Sequence, residues 1–552
     1  MRRRLMLSVA MLAVGVGLLV AAGFATPASS GTERKGGTFK YSLDTDIDYV
    51  DHALAYYTLS WEIEYVTCSQ LLNYPDAAAP RGSRLVPDAA AAMPVVSRDG
   101  KTYTFRVRTG RRFSDGTRIT AQNFRFALNR LLNKNMSSPA QPFFEDIAGA
   151  KAVIAGNAQT ASGIKVKSGN RLQIKLSKRA PDLLSRLAMP FACAIKTNTP
   201  INPDGISAPV VGSGPYYIAS WTPKRSITVK RNRFYSGPRP HNLDTIEYDI
   251  GLPLATIRLN VEEGKTDHGP VPSAAHAELG RKYGVKKKSP GQYFVNPSAA
   301  FRYLAMNHER GLFGKVGGGV TSSTGNVKLK QAVNNAIDRI AMINQRGAYS
   351  GVINDQYMPP TMQGFRNSAI YPARPNVTKA KSLARGSERG GKGVFYTCST
   401  GPCIPIAQIV QANLRQIGLD MDIKPFPRAV QFTKTGTRGE PFDLTLEGWH
   451  MDYFDPYDFI FLLDGSQIRP ANNVNFSYFN SSAYNRKIAK AASLVGQARY
   501  RSFGNLDIDL AKNAAPLASF ISDNTRLLFS SRTGCFFYHP VYEIDLAGVC
   551  LK

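Results

Sequence analysis

An acidic and aromatic stretch, GWHMDYFDPYDF at residues 448–459, contains the side chains best suited to a chemical role. It carries three carboxylates, Asp452, Asp455 and Asp458, and neither Lys nor Arg, in a chain where 69 Lys and Arg outnumber 40 Asp and Glu. Carboxylates beside aromatic side chains and proline form either an acidic turn or a site for a cation. The rest of the sequence has to separate these two interpretations.

Motifs for catalysis do not accompany this stretch. The seven histidines are dispersed and none stands in an H-E-x-x-H helix, and VGSGP around Ser213 lacks the spacing of a nucleophile elbow. Paired carboxylates for glycoside hydrolysis can lie anywhere in a sequence, so a cell-envelope hydrolase stays as an alternative. We interpret the chain as a protein that is not an enzyme and that needs neither a cofactor nor a metal.

The N-terminus has the layout of a secretory signal. Arg2–Arg4 precede an uncharged apolar run, Leu5–Ala22, and small residues follow, with cleavage expected between residues 28 and 31. This run is also at the short edge of a membrane span, so an uncleaved anchor is the alternative for residues 1–30. Phe24 stands where a lipoprotein signal would need Cys. We expect export to the periplasm or the outer face of the membrane, without a lipid anchor.

Export permits disulfides, and the chain has six cysteines, an even number. Cys398 and Cys403 are separated by STGP, a loop that a disulfide can close, and Cys535 and Cys550 bracket a predicted hairpin. The remaining pair is Cys68 with Cys193. Six cysteines allow fifteen pairings, so this one is a hypothesis. Zinc binding by CSTGPC is the alternative interpretation, but the sequence offers no second cysteine pair and no nearby histidine to complete a zinc site.

The strongly basic composition indicates an anionic surface as a partner. The formal charge of +29 becomes +26 when the three arginines of the signal are removed. Such a surface attracts anionic envelope polymers and lipid headgroups. Nucleic acid is the alternative, but the bases are scattered over the whole length in short clusters such as Lys286–Lys288. We therefore expect contact with the cell envelope and no nucleic-acid binding.

Strand and helix patterns alternate along the chain, whose 552 residues predict two or three domains. The N-terminal half contains a strand with Tyr103, Phe105 and Val107 on one face, a helix capped by Thr120, and two strands joined by Thr222–Lys224. The C-terminal half contains a helix with Val333, Ile337 and Ile340 on one face, and a helix with Ile406, Val410 and Ile417 that ends at Gly418 and returns as a strand. This is a mixed α/β pattern in both halves.

A last strand, FDLTLEGW at residues 442–449, leads directly into the acidic stretch. In open α/β sheets, ligands bind just beyond the carboxyl ends of the strands. The position of the stretch therefore favours a binding site over an incidental turn.

The order of five segments resembles the extracellular solute-binding proteins of family 5, the oligopeptide, dipeptide and nickel receptors of ABC importers. The segments are LVPDAAAAMPVVSRDGKTYTFRVRTGRRFSDGTRITAQNFRFALNR, GSGPYYIASWTPKRSITVKRNRFYSG, YLAMNHERGLF, VKLKQAVNNAIDR and FDLTLEGWHMDYFDPYDF. Together they cover the chain from about Gly36 to Leu517.

The resemblance implies a fold of two α/β lobes, the type II periplasmic-binding-protein-like fold with an extra subdomain. One lobe is expected to combine residues 31–255 with 500–552 and to include a subdomain at about 75–195. The other lobe is expected at residues 256–499. Crossover strands join the lobes, and hinge closure around a ligand is the expected motion.

The resemblance also assigns roles to the acidic stretch. Asp452 matches the residue that receives the α-amino group of a peptide, and the alternative is a carboxylate that caps a turn. Backbone groups at Gly448 and His450 are expected to pair with the peptide as an added strand. Trp449 is expected to wall the pocket, or to lie in the core beneath it, and His450 either walls the pocket or titrates. Tyr453 is included among the ligand-binding residues.

On the facing lobe, the resemblance implies ligand contacts from Tyr56, Tyr57 and Thr58. Asp455 and Asp458 are assigned differently: DPYDF predicts a helix that opens at Pro456, with Asp458 in its first turn, where a carboxylate suits the helix dipole.

One departure from the family concerns the peptide carboxylate. Some oligopeptide receptors carry an arginine three residues before the tryptophan, and Leu446 stands at that position here. The predicted function is therefore that of a monomeric receptor that captures peptides of open length between two lobes and delivers them to an ABC permease. A receptor for a nickel chelate or an oligosaccharide is the alternative within the class.

Overall fold

The computed structural model describes residues 35–314 and 324–552, in which strands and helices alternate as the sequence predicts. The predicted secretory signal lies outside these ranges. Within them, no helix is both long enough and apolar enough to cross a bilayer.

The strands of the described ranges, in chain order, are β1 (Thr38–Leu43), β2 (Leu72–Asn73), β3 (Val86–Pro87), β4 (Val95–Val96), β5 (Thr102–Arg106), β6 (Ile164–Lys167), β7 (Arg171–Lys175), β8 (Tyr216–Thr222), β9 (Ser226–Arg231), β10 (Thr245–Ile250), β11 (Tyr293–Met306), β12 (Gly351–Ile353), β13 (Lys392–Cys398), β14 (Asp420–Phe426), β15 (Leu444–His450), β16 (Leu517–Leu528), β17 (Thr533–Gly534), β18 (Tyr538–His539), β19 (Glu543–Ile544) and β20 (Cys550–Leu551).

The α-helices of the same ranges are α1 (Thr58–Thr67), α2 (Ala121–Leu132), α3 (Gln141–Phe144), α4 (Ala150–Ile154), α5 (Leu183–Arg186), α6 (Leu254–Glu262), α7 (His276–Tyr283), α8 (Val327–Ala336), α9 (Arg339–Asn344), α10 (Val377–Ala384), α11 (Cys403–Arg415), α12 (Arg428–Thr435), α13 (Tyr457–Ile460), α14 (Ser482–Ala492) and α15 (Gly496–Asp509).

The first sheet has the order β1-β10-β9-β8, with β1 parallel to β10 and the other neighbours antiparallel. The predicted hairpin of β8 and β9 is confirmed, and Lys224 in its turn has φ +61. Ile227, Val229 and Ile246 alternate with exposed or half-buried residues and point into one core, as period-2 patterning requires.

The second sheet has the order β12-β16-β11-β15-β13-β14. Its parallel strands β13 and β14 are connected by α11. Gly418 lies between the end of α11 and the start of β14 and has φ +80, a conformation that glycine adopts without a steric cost. Ile406 and Val410 on α11 are buried against the sheet, as the spacing predicts. The smaller sheet β4-β5-β7-β6 carries α2 on the buried face of Tyr103 and Phe105.

The single helix expected around Val333 and Ile340 is wrong, because the chain forms α8 and α9 with a break between them. Ile337 is extended, with φ −72 and ψ 138, and Asp338 accepts a hydrogen bond from the backbone N of Ala341 at 2.9 Å. An aspartate that caps a new helix favours a break over continuation of the preceding helix. The spacing of apolar residues carries no information about this cap bond, so it predicts one continuous helix.

Strands β11 and β16 contribute to two apolar cores, one on the first sheet and one on the second. Their Phe294 and Leu527 ends pack with the first sheet, and their Leu304 and Phe520 ends pack with the second. The register between the two strands shifts between Pro297 and Phe301. Residues 500–552 are predicted to belong to the first lobe, and within this segment β16 pairs with β11 and β12 of the second sheet.

Three disulfides join Cys68 to Cys193, Cys398 to Cys403, and Cys535 to Cys550. These are the three pairs that the sequence analysis proposes. The first bridge connects positions 125 residues apart, and the second connects positions 5 residues apart.

Loss of the Cys68–Cys193 bridge should destabilise the protein more than loss of the Cys398–Cys403 bridge. A cross-link restricts the unfolded chain more when it closes a longer loop, which gives roughly 5 kcal/mol for the first bridge and about 2 kcal/mol for the second. Urea unfolding of the two double serine variants measures both losses. Equal losses would contradict the loop-length argument.

Candidate functional site

A cavity of about 580 Å³ opens at the carboxyl end of β15. One wall comes from residues between 56 and 65, at the start of and along α1. The facing wall comes from the start of α12 and the end of β15. Residues 541–543, which lead into β19, close a third side. Its volume lies within the usual range for small-ligand pockets.

Asp452 meets the conditions for binding a cation. Its side chain is 8% exposed and lines the cavity, and Oδ2 accepts a hydrogen bond from Tyr56 Oη at 2.8 Å. Burial raises the pKa of Asp452 to about 7, although the Tyr56 bond and nearby His450 oppose the rise. No Lys or Arg of the described ranges forms an ion pair with it, so an entering ammonium group would supply the missing charge.

Asp458 holds the turn that presents Asp452. Its Oδ2 accepts bonds from Trp449 Nε1 and from the backbone N of Asp452, both at 3.1 Å. Asp458 lies in the first turn of α13, as predicted. Its carboxyl group, however, accepts from the indole of Trp449 on β15 and from the backbone of the turn that follows β15, and so it fixes the position of the indole ring. Trp449 lines the cavity and also packs in the buried apolar core.

Asp455 also has a structural partner that the sequence did not indicate. Both of its oxygens bond to the Arg499 guanidinium, with Nη2 at 2.8 Å from Oδ1 and Nε at 2.8 Å from Oδ2. Asp455 Oδ1 further accepts from the backbone N of Tyr457, the first residue of α13. The predicted helix opening is therefore present, and α15 neutralises the carboxylate that precedes it.

His450 forms an ion pair inside the cavity. Its Nε2 lies 3.0 Å from Glu543 Oε1, and Glu543 also accepts from Ser298 and Thr525 at 2.6 Å. Burial alone would lower the pKa of His450, but Glu543 outweighs it and the pKa is raised. In return, His450 and these hydroxyl groups hold the pKa of Glu543 at about 2 against the effect of burial.

The edge of β15 that faces away from β11 is available for a further strand. Met451 N donates to Ala299 O at 2.9 Å, and in this antiparallel register the bonds to β11 come from alternate residues. Gly448 and His450 therefore point their backbone N–H and C=O groups to the opposite edge. Within the described chain, β13 pairs with β15 only at Leu444 and Thr445 and leaves this part of the edge open.

Tyr56, Tyr57 and Thr58 line the opposite wall of the cavity, as expected from the resemblance. Asp48 Oδ2 fixes this segment by accepting from the backbone N of Tyr56 at 2.7 Å and of Tyr57 at 3.1 Å. Tyr57 is 48% exposed, whereas Tyr56 reaches across the cavity to Asp452.

Tyr453 lies elsewhere. Its ring packs edge-on against Phe143, its hydroxyl donates to Asp182 at 3.4 Å, and it lines a separate cavity of about 280 Å³. The chain bends directly after β15, and this bend directs Tyr453 away from the cavity that Asp452 lines. The structure thus brings together seven of the eight expected ligand-binding residues and leaves out Tyr453.

Two arginines that line the cavity, Arg302 and Arg428, were not predicted from the sequence. Arg302 crosses Gly448, where a Cβ would come within 2.5 Å of its side chain, and bonds to Asp523 at 2.7 Å. Arg428 begins α12, and its side chain is 43% exposed. Neither belongs to a motif, and only the tertiary contact places them beside β15.

The profile of the bacterial extracellular solute-binding proteins, family 5, matches residues 84–470, which include the hairpin, β15 and the acidic turn. The chain belongs to this family. Family members are solute-binding proteins by description, which is the predicted class, and their description places them outside the cytoplasm.

Individual relatives have low sequence identity and match most of the chain. The periplasmic oligopeptide-binding protein OppA of Salmonella typhimurium is 22% identical over 78% of each chain. The probable D,D-dipeptide-binding periplasmic protein DdpA of Escherichia coli is 23% identical over 90% of this chain and 91% of its own.

A solved structure, clavulanic acid biosynthesis oligopeptide binding protein 2, has a TM-score of 0.82 at 21% identity and covers 94% of this chain and 96% of its own. This likeness confirms the predicted mixed α/β fold with two lobes.

Proposed function

We propose that this family 5 protein captures peptides in the cavity beyond β15 and delivers them to an ABC permease. The observation that carries the proposal is Asp452, a buried carboxylate with one phenol partner, placed beside an open strand edge. A charge-assisted hydrogen bond from an α-ammonium group to Asp452 contributes roughly 1.5 to 3 kcal/mol.

The open edge supports a peptide over other solutes. A peptide that adds to β15 would exchange main-chain hydrogen bonds with Gly448 and His450, and those bonds do not depend on the peptide sequence. Asp452 would fix the position of the peptide N-terminus, and the edge of β15 would fix the direction in which the peptide chain runs.

Closure of the lobes is expected to pivot on β11 and β16, which contribute to both cores. The register shift between Pro297 and Phe301 lies where the two strands pass from one core to the other. With residues 1–30 as export signal or anchor, the receptor would work as a monomer at an anionic envelope. Its basic surface suits that location.

Calorimetry with alanine peptides of two to five residues tests the peptide proposal, with the N-acetylated form of each peptide as its matched control. We expect the free peptides to bind and acetylation to weaken binding at least tenfold, because it removes the ammonium group. Native mass spectrometry of the purified protein identifies the co-purifying ligand independently. Equal affinity of free and acetylated peptides would contradict the role of Asp452.

Peptide affinity should depend on pH with a maximum near pH 7.5. Burial raises the pKa of Asp452 to about 7 in the empty cavity, and a bound ammonium group favours the ionised form, so affinity rises as pH increases from 5.5 towards 7.5. Above about pH 8 the peptide amine loses its own proton and affinity falls. Titration of the same peptide into Asp452→Asn, which should lack the acid limb, is the control.

A further inference from the structure

Glu62 is a second buried carboxyl group in the peptide cavity. It lies on α1, is 9% exposed and lines the same cavity as Asp452. Tyr41 Oη donates to its Oε2 at 3.1 Å, and no Lys or Arg of the described ranges lies within 4 Å of the carboxyl. Asp452 and Glu62 thus share one arrangement, a buried carboxyl with one phenol donor and no Lys or Arg partner in the described part of the chain.

The bases that line the cavity do not compensate these two groups, because each lies next to another acid: Arg302 with Asp523 at 2.7 Å, Arg428 with Glu447 at 3.7 Å, and His450 with Glu543 at 3.0 Å. Asp46, the remaining acid of the lining, accepts from the backbone N of Lys224 at 2.6 Å and of Ile47 at 2.9 Å. Three carboxyl groups of the lining, Asp46, Glu62 and Asp452, therefore lack a basic partner within the described ranges of a protein of formal charge +29. Backbone N–H groups satisfy Asp46, whereas Glu62 and Asp452 each have one phenol donor.

We propose that the cavity selects peptides that carry a second cationic group, a lysine or arginine side chain, and that Glu62 binds it. This inference rests on the proposed function, in which Asp452 receives the α-ammonium group. A carboxylate has room for several donors, and a single phenol leaves most of that capacity unused. A buried ion gains stability from a paired and hydrogen-bonded counter-charge.

The groups that face Glu62 come from four strands: Tyr41 on β1, Tyr248 on β10, His450 on β15, and Glu543 on β19. Burial, reinforced by the charge of Glu543, raises the pKa of Glu62 to about 8, while Tyr41 and His450 act in the opposite direction. The empty cavity therefore holds a proton on Glu62 at pH 7. A cationic side chain would displace this proton, whereas a neutral side chain would leave it in place.

The experiment compares the alanine peptide that binds best with its variants that carry Lys or Gln at each position in turn. We expect one lysine peptide to bind at least tenfold more tightly than its glutamine match. Calorimetry in buffers of different ionisation enthalpy should show about one more proton released at pH 7 by the lysine peptide. This second measurement uses the unmodified protein and does not depend on the folding of a variant.

Two matched variants test whether Glu62 is the residue responsible for the lysine preference. Glu62→Gln should reduce the ratio of lysine-peptide to glutamine-peptide affinity to less than threefold. Glu64→Gln alters a glutamate of the same helix that is buried outside the cavity, and it should keep the preference.

The outcomes separate the two proposals. Peptide binding without a lysine preference, or a preference that survives Glu62→Gln, overturns the role of Glu62 and leaves the peptide receptor intact. A failure of every peptide to bind, those with lysine included, overturns both.

Discussion

Replacement of Asp452 by asparagine is expected to weaken peptide binding at least tenfold and, in the same variant, to stabilise the empty protein at pH 8. Asparagine keeps the size of the side chain and the bond from Tyr56 Oη, but it removes the charge that an ammonium group needs. The lost charge-assisted bond accounts for roughly 1.5 to 3 kcal/mol of binding free energy.

The stabilisation follows from the direction of the pKa shift. The pKa of Asp452 is raised from 3.8 to about 7 on folding, so its contribution to stability is complete below pH 4 and is lost as pH rises to 7. Each pH unit of that interval corresponds to roughly 1.4 kcal/mol. The asparagine variant does not titrate, and its melting temperature should exceed that of the unmodified protein by about 2 °C or more at pH 8.

Thermal melts at pH 4 and pH 8, together with calorimetry of the alanine peptide, measure both effects. Tyr56→Phe is the matched variant, because it removes the phenol bond and keeps the carboxylate, and its loss of affinity should be smaller. If Asp452→Asn binds the peptide normally, the carboxyl group belongs only to the turn.

Arg499→Met is expected to lower the free energy of unfolding by roughly 3 to 5 kcal/mol. The arginine is 3% exposed and donates three hydrogen bonds to Asp455, and Asp182 lies 3.7 Å from its Nη2. Methionine fills similar space, but it leaves Asp455 buried without its counter-charge. Burial already raises the pKa of Asp455 in the presence of the arginine, so the uncompensated carboxylate is costly.

Peptide affinity should fall in the same variant, because Asp455 lies three residues after Asp452 in the turn that Arg499 fixes. Arg501→Met changes an exposed arginine of the same helix and should alter neither stability nor affinity. Urea unfolding and calorimetry measure the two effects.

The double variant Arg499→Met with Asp455→Asn tests whether the unpaired charge of Asp455 causes the loss of stability. It removes both charges, so it should recover part of the stability lost in the single variant. A double variant that is less stable than Arg499→Met would show that packing around the arginine, and not the unpaired charge, determines the loss.

Local patterns in the sequence were sufficient for most of the secondary structure near the site. The alternation in β8 and β9, the apolar face of α11 and the strand β15 each depend on neighbours within a few residues. The two helices around Ile337 were missed because an N-cap bond at Asp338 is formed by geometry that apolar spacing does not encode.

The candidate site divides in the same way. The sequence by itself determined that a carboxylate follows a buried strand in an aromatic stretch, and a family resemblance singled out Asp452. Only the tertiary structure decided the partners, Tyr56 for Asp452, Arg499 for Asp455 and Glu543 for His450, and it added Glu62 to the cavity. These partners are 396, 44 and 93 residues apart, and long-range proximity depends on how the two cores pack, which no local pattern specifies.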